Sequence, residues 1–309
     1  GEKITVRIPA KYTDIGLRAQ IGCHTDTLWH LDELLRSPSV VRGFALDNEE
    51  NIIASAFGGP VYIAVAAIND KEWGPYYGSV RNGAWLARTG FDDYTPVNVE
   101  ISGAVEGIRF VGGVTDIKEW KERIRHLSVP IAEIEGKKMI WSFSSDIARQ
   151  IDDPQEIVEF WDDMMDTLAD LAGRPKDKRP APERFVLDRQ ISAGGGHSGY
   201  PIMAFESWQG GCFNINEIKK EGTWGHLHEI GHNFQMPGWA FYHGQGEVSV
   251  NFFSLYGNDM KCGWDMHPTG DIPGDTYGWK RMMSRDYHLN TMKKYFSKDP
   301  KVKGKWMEA

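Results

Sequence analysis

The chain has 309 residues, a formal net charge of −8 and a pI near 5.7. An acidic chain of this kind lacks the clustered Lys and Arg that reward nucleic-acid binding, and no stretch approaches the ~18 apolar residues of a membrane-spanning helix. With 41% apolar and 25% charged residues the balance is that of a globular protein, long enough for two domains or one elaborated one.

Twelve Trp and 34 Gly suggest a loop-rich chain with aromatic surfaces, as in carbohydrate-active proteins, or simply an aromatic core. Cys23, Cys212 and Cys262 lack C-x-x-C spacing and fit neither a disulfide framework nor a cysteine metal knot; one disulfide with one free thiol stays open. No signal-peptide pattern stands at Gly1, and the compartment is not legible from these features.

Residues 1–115 read as short strands and turns. Residues 3–8 and 17–22 alternate polar and apolar side chains, as half-buried strands do. Apolar runs at 52–56 and 60–68 are bounded by Gly58-Gly59 and Asn69-Asp70, and 97–105 alternates again. Short strands punctuated by Gly and Pro predict a β-sandwich-like layer, closed by Gly112-Gly113.

From 116 the period changes. Residues 116–126 predict a short helix with Ile117, Trp120 and Ile124 on one face, and 138–143 predict a strand. Asp153 suits a helix cap and Pro154 its first turn. Ile157, Trp161, Met164, Met165, Leu168 and Leu171 then form a core stripe ending at Gly173. Residues 174–184, charged and proline-rich, predict a solvated connector, and 185–188 a strand. Gly194-Gly195-Gly196-His197-Ser198-Gly199 formally matches G-x-G-x-x-G, but Tyr200-Pro201 excludes the helix that a dinucleotide site needs next. It reads as a glycine loop at the edge of a site, with His197 able to touch a ligand, or as a turn that merely needs positive φ.

The densest chemistry lies in residues 224–235. There His228-Glu229-Ile230-Gly231-His232 has the pattern H-E-x-x-H, and Leu227, Ile230 and Phe234 give the stripe of a buried helix stopped by Pro237-Gly238. Residues i and i+4 share a helix face, so the two imidazoles can converge on one Zn²⁺. Glu229 is a poor third ligand there and is well placed as a general base. Chance produces such a pattern occasionally, but a buried helix with these polar groups facing inward needs something to bind them. The third ligand is expected at Glu247, opening a second helix whose core face is Phe252, Leu255 and Tyr256; alternatively Glu247 merely complements that helix's dipole, and His243 competes for the role. Tyr242, His243 and Tyr256 are candidates to assist the oxyanion of an acyl-transfer step, or are packing residues.

Residues 224–235 with Glu247-Val248-Ser249-Val250-Asn251 resemble the M60-like (enhancin and mucin-peptidase) zinc metallopeptidases, whose signature is H-E-x-x-H followed by a glutamate. The likeness extends to residues 20–26, 57–63 and 199–203, stretches also similar to the TRPM8 channel-associated factors, relatives with a degraded zinc motif. The resemblance implies an α+β protein: a β-rich N-terminal region over 1–115, then a mainly helical gluzincin-type catalytic domain over 116–309, with helices usual in the family beyond the last residue here. It implies Zn²⁺ on His228, His232 and Glu247, with Glu229 catalytic. It further implies an O-glycosylated, mucin-like substrate, cut beside a glycosylated Ser or Thr and therefore met outside cells or at their surface. Trp224 and Asn251 match positions near the family's glycan pocket, His197 is placed to line it, and a sugar-holding arginine is expected within 281–285. Trp224 equally suits packing beneath the metal. Two other readings stand: a peptidase of non-glycosylated substrates, and a non-catalytic glycan- or protein-binding module like the channel-associated relatives.

Overall fold

The computed structural model describes residues 2–14, 16–65, 97–176, 181–235 and 245–263. Its N-terminal part contains two three-stranded antiparallel sheets. The first orders β4 (Glu50–Ile53), β1 (Ile4–Arg7) and β6 (Glu100–Ser102), the second β3 (Arg42–Ala45), β2 (Leu17–Ile21) and β5 (Val61–Val65). The period-2 alternation does what it should: Leu17, Ala19 and Ile21 of β2 are buried and join Val6, Ile8, Leu46 and Ile53 in one core. Strand β3, Arg-Gly-Phe-Ala, carries no such alternation and is not legible in the sequence.

The second part is built on a mixed six-stranded sheet in the order β11-β12-β10-β9-β8-β7. Its strands are β7 (Ile108–Val111), β8 (Ile131–Glu135), β9 (Met139–Ser144), β10 (Glu183–Asp188), β11 (Gly196–His197) and β12 (Ile202–Phe205). The α+β class holds, but helices share this part with a sheet larger than the sequence suggested, and β7 joins that sheet ahead of residue 115. Eight helices accompany these strands among the described residues: α1 (Ile117–Glu122), α2 (Ser145–Ala148), α3 (Pro154–Leu171), α4 (Gly210–Phe213), α5 (Ile215–Glu221), α6 (Trp224–Phe234), α7 (Gln245–Ser249) and α8 (Asn251–Lys261).

Helix α3 begins where the sequence places it. The Asp153 side chain accepts from Gln155 N and Glu156 N, and Pro154 occupies the first turn. Its buried Trp161, Met164, Met165 and Leu168 lie in the main core with Trp141 and Phe185. Trp161 donates its indole N–H to the Cys212 carbonyl at 2.7 Å, which ties α3 to α4.

Helices α6 and α8 pack so closely that glycine is required between them. A Cβ on Gly231 would sit 2.9 Å from both Val250 Cγ2 and Phe253 Cβ, and one on Gly257 2.9 Å from Leu227 Cδ1. This contact corrects the expected core face of the last described helix. Val250 keeps helical dihedrals between α7 and α8, and the buried stripe is Val250, Phe253, Ser254 and Asn258, so Phe253 is buried while Phe252 is 61% exposed. The disulfide left open by the cysteine count is absent: Cys23, Cys212 and Cys262 are free and buried.

The two parts are joined by polar contacts as well as apolar ones. Tyr62 donates to Glu133 Oε1 at 2.8 Å, and Arg184 meets the same carboxylate. Arg36 pairs with Asp188 at 2.8 Å, both nearly buried.

Candidate metal centre

Helix α6 is fixed at its start by α8. Asn258 accepts from Thr223 N at 2.8 Å and donates to Thr223 O at 3.3 Å, so the residue before the helix is held from both sides. Leu227, Ile230 and Phe234 are fully buried, which leaves His228 and His232 one turn apart on the half-exposed flank.

Helix α7 brings Glu247 to them. Glu247 Oε2 lies 3.1 Å from His228 Nε2 and 3.3 Å from His232 Nε2, and the two ring nitrogens are 3.2 Å apart. Zinc bonds of roughly 2.0–2.1 Å in a tetrahedron place ligand atoms about 3.3 Å from one another. The near-equilateral triangle of these three donors therefore has the size of one face of a zinc tetrahedron.

The far sides of both rings select the tautomer that ligation needs. His228 Nδ1 donates to Asn251 Oδ1 at 2.8 Å, and His232 Nδ1 donates to Gln235 Oε1 at 2.9 Å. The amide orientations follow from their other ends: Asn251 Nδ2 donates to Glu247 O, and Gln235 Nε2 to Gly246 O and Ser249 Oγ. With amide oxygens taking the Nδ1 protons, each Nε2 lone pair is free for a cation. Gln235 carried no signal in the sequence. Asn251, expected near the glycan pocket, is engaged at both ends, by His228 and by the backbone of Glu247.

Glu229 is buried beside this triangle. Burial raises its carboxyl above the ordinary range; His228 and His232 oppose that shift and Glu247 adds to it. Across from it runs β11, so near that a Cβ on Gly196 would lie 3.3 Å from Glu229 Cγ and 2.8 Å from the Trp208 ring. The glycine loop thus lies where the sequence reading put it, at the edge of the site. His197 has both ring nitrogens engaged, Nε2 with Asp26 Oδ2 at 2.8 Å and Ser192 Oγ at 3.2 Å, and Nδ1 with the Ser198 carbonyl at 3.1 Å.

Trp224 opens α6 one turn before His228, half-buried, its carbonyl accepting from Ser254 Oγ at 3.2 Å. Tyr256 is half-buried on α8. Tyr242, His243 and the stretch 281–285 lie outside the described residues. A further histidine on α6, His226, turns inward: burial lowers its pKa to about 3, and its ring sits between Thr223 Oγ1 at 2.5 Å and Cys212 Sγ at 3.1 Å. It is neutral and structural.

Comparison with known proteins gives a consistent result. The family model "Peptidase M60, enhancin and enhancin-like" matches residues 103–308, and the model for the N-terminal domain of M60-like peptidases matches residues 1–73. A TRPM8 channel-associated factor homolog of Danio rerio is 34% identical over 263 residues, 85% of this chain and 26% of that protein. The chain therefore spans about a quarter of the length of the curated relatives it matches. The catalytic module of the metalloprotease ZmpA from Clostridium perfringens superposes with a TM-score of 0.60 at 15% identity, over 84% of this chain and 51% of that one. The M60 catalytic domain of ZmpC from the same organism, solved in complex with the sialyl T antigen, gives 0.57 at 18% identity over 84% and 50%. At such identities the likeness to solved structures concerns the fold.

Proposed function

Because the chain belongs to the M60 peptidase family, enhancin and enhancin-like, we propose that it is a zinc-dependent endopeptidase of O-glycosylated, mucin-like proteins, cutting beside a glycosylated Ser or Thr. The observation that carries this reading is the triangle of His228, His232 and Glu247 donor atoms next to the buried carboxyl of Glu229.

Zinc held by those three residues supplies Lewis acidity for the scissile carbonyl and makes water nucleophilic near neutral pH. Glu229, its proton affinity raised by burial, takes the proton of the attacking water and delivers it to the leaving amine. Asn251 and Gln235 keep the two imidazoles in the ligating tautomer throughout. Strand β11 ends its sheet with no further strand beside it among the described residues. Its free backbone groups suit an extended peptide laid alongside, which would pass Glu229.

The glycoprotein substrate is supported by the solved relative captured with the sialyl T antigen. On this reading Trp224 offers its ring face to a sugar, and the protein acts outside cells or at their surface. The second reading, a binding module that does not cut, is favoured by the curated relatives' name, TRPM8 channel-associated factor; the intact Glu229 speaks against it. Incubation of an O-glycosylated peptide and its deglycosylated form, with and without a chelator, separates these by mass spectrometry. The proposal expects chelator-sensitive cleavage of the glycosylated form alone. Equal cleavage of both forms removes the glycan requirement, and no cleavage by zinc-loaded protein favours the binding module.

A further inference from the structure

We propose that Asp26, supplied by the N-terminal part of the chain, is a positioning residue of the candidate site: one of its carboxylate oxygens pins both ends of the glycine loop and so fixes β11 beside Glu229. The proposal rests on the peptidase reading and adds to it a role for a residue outside the catalytic sheet.

Asp26 Oδ2 accepts from the backbone N–H of Ser192 at 2.6 Å and from Nε2 of His197 at 2.8 Å. These two groups bracket Gly194, Gly195 and Gly196. The Asp26 side chain is 9% exposed, so the bonds are shielded from solvent. His197 Nε2 lies 2.8 Å from the Asp26 carboxylate and 3.2 Å from the Ser192 hydroxyl, while Nδ1 meets the Ser198 carbonyl; facing the carboxylate, the imidazole has a raised pKa, which favours the charge-assisted form of the contact. Asp26 is itself held: Arg36 donates to its backbone carbonyl at 3.1 Å while pairing with Asp188 at the end of β10. His30 adds a contact to the Ser192 carbonyl at 2.8 Å.

The loop needs such an anchor because its glycines cannot be replaced. Gly194 has φ +63, and side chains at Gly195 and Gly196 would run into the Trp208 ring at 3.3 and 2.8 Å. Three successive glycines make the most mobile backbone available, yet β11 has only two residues and pairs with β12 alone. Its position beside Glu229 is therefore set from outside the sheet. A displacement of about 1 Å in a group that aligns substrate is enough to cost on the order of a hundredfold in rate.

The test compares the parent with Asp26→Asn, nearly isosteric, and with His197→Gln, which loses the ring's charge but leaves the Ser192 bond. Four quantities are measured on zinc-loaded protein: metal stoichiometry, amide exchange over residues 193–198, kcat/KM for an O-glycosylated peptide, and inhibition by acetohydroxamate, which reaches the metal alone. Asp26→Asn is expected to keep its zinc and its sensitivity to acetohydroxamate. Its 193–198 amides exchange at least tenfold faster, and kcat/KM falls about ten- to a hundredfold. His197→Gln moves the same way by less. Unchanged exchange, or faster exchange with kcat/KM within twofold of the parent, overturns the role of Asp26 alone. A zinc-loaded parent that cleaves nothing sinks the peptidase reading and, with it, the alignment role.

Discussion

The side-chain oxygen of Asn251 accepts the Nδ1 proton of His228 at 2.8 Å, and that bond decides which nitrogen the ring turns toward Glu247. Because Asn251 Nδ2 also donates to the Glu247 backbone carbonyl at 2.9 Å, one side chain at the start of α8 orients two of the three metal-facing residues. Asn251→Leu keeps the volume and removes both bonds. Loss of such an outer contact typically weakens metal binding about 10–100-fold. Competition with a chromophoric chelator should show that loss in Asn251→Leu, with little change in the far-UV spectrum. An affinity equal to that of the parent would mean the amide does not govern the ring.

Glu229 is assigned the proton transfers, and none of the three donor atoms belongs to it. Glu229→Ala should therefore hold zinc in the parent's ratio while peptide cleavage drops by about 10²–10⁴. Elemental analysis beside an activity assay reads both quantities. Loss of metal together with activity would place Glu229 among the ligands, and retained activity would end its role as base.

The legible part of this site is the part that follows helical spacing. His228 and His232 had to share a face if 224–235 was a helix, and the apolar stripe of Leu227, Ile230 and Phe234 said it was. The direction of a single side chain was not legible in the same way. Asn251 is marked in the sequence only by the family likeness, near a glycan pocket, and its bond to His228 is visible only in the fold. The buried ring is Phe253 rather than Phe252 because the face packed on α6 is that of Val250, Phe253 and Gly257. Gln235 is one amide after the helix end, and nothing local marks it. His226 shows the converse: a third histidine on the same helix, spent in the core beside Cys212. Strand β11 is Gly-His, with no β-propensity of its own, and is a strand only because β12 and Asp26 hold it. The short alternation of β8 is hard to read in the sequence because Glu133, between buried Ala132 and Ile134, looks like a surface residue until Tyr62 and Arg184 are brought to it.

Gly231 tests whether the spacing of α6 and α8 matters to the metal. In a free helix Gly→Ala is favourable by about 1 kcal/mol. Here the added Cβ would meet Val250 Cγ2 and Phe253 Cβ at 2.9 Å, and relieving that contact costs roughly 1–3 kcal/mol. The steric term is the larger, because both neighbours belong to the packed start of α8. Gly231→Ala should lower the melting temperature by a few degrees and weaken zinc binding, since pushing α8 outward carries Asn251 away from His228. A variant as stable as the parent would show that the helices can part without cost.

The Asp26–His197 pair gives the fold a pH signature whose sign can be worked out. For His197 the bond from Asp26 is the main cause, opposed by burial, and the pKa is raised. Its contribution is therefore complete below the unfolded value of about 6.5 and disappears as pH rises through the higher folded value. For Asp26 burial alone would raise the carboxyl, but the bonds from His197 and Ser192 outweigh it and hold the pKa down. That contribution is complete above about pH 4 and disappears as pH falls through the lower folded value. The pair is thus worth most between about pH 4 and 6.5. Thermal melts of the parent and Asp26→Asn across pH 3–9 should differ most inside that window, narrow above it to what the Ser192 bond retains, and converge below it. A gap in melting temperature that stays constant with pH would show that the pair is not charged in the folded protein, and that Asp26 acts by shape alone.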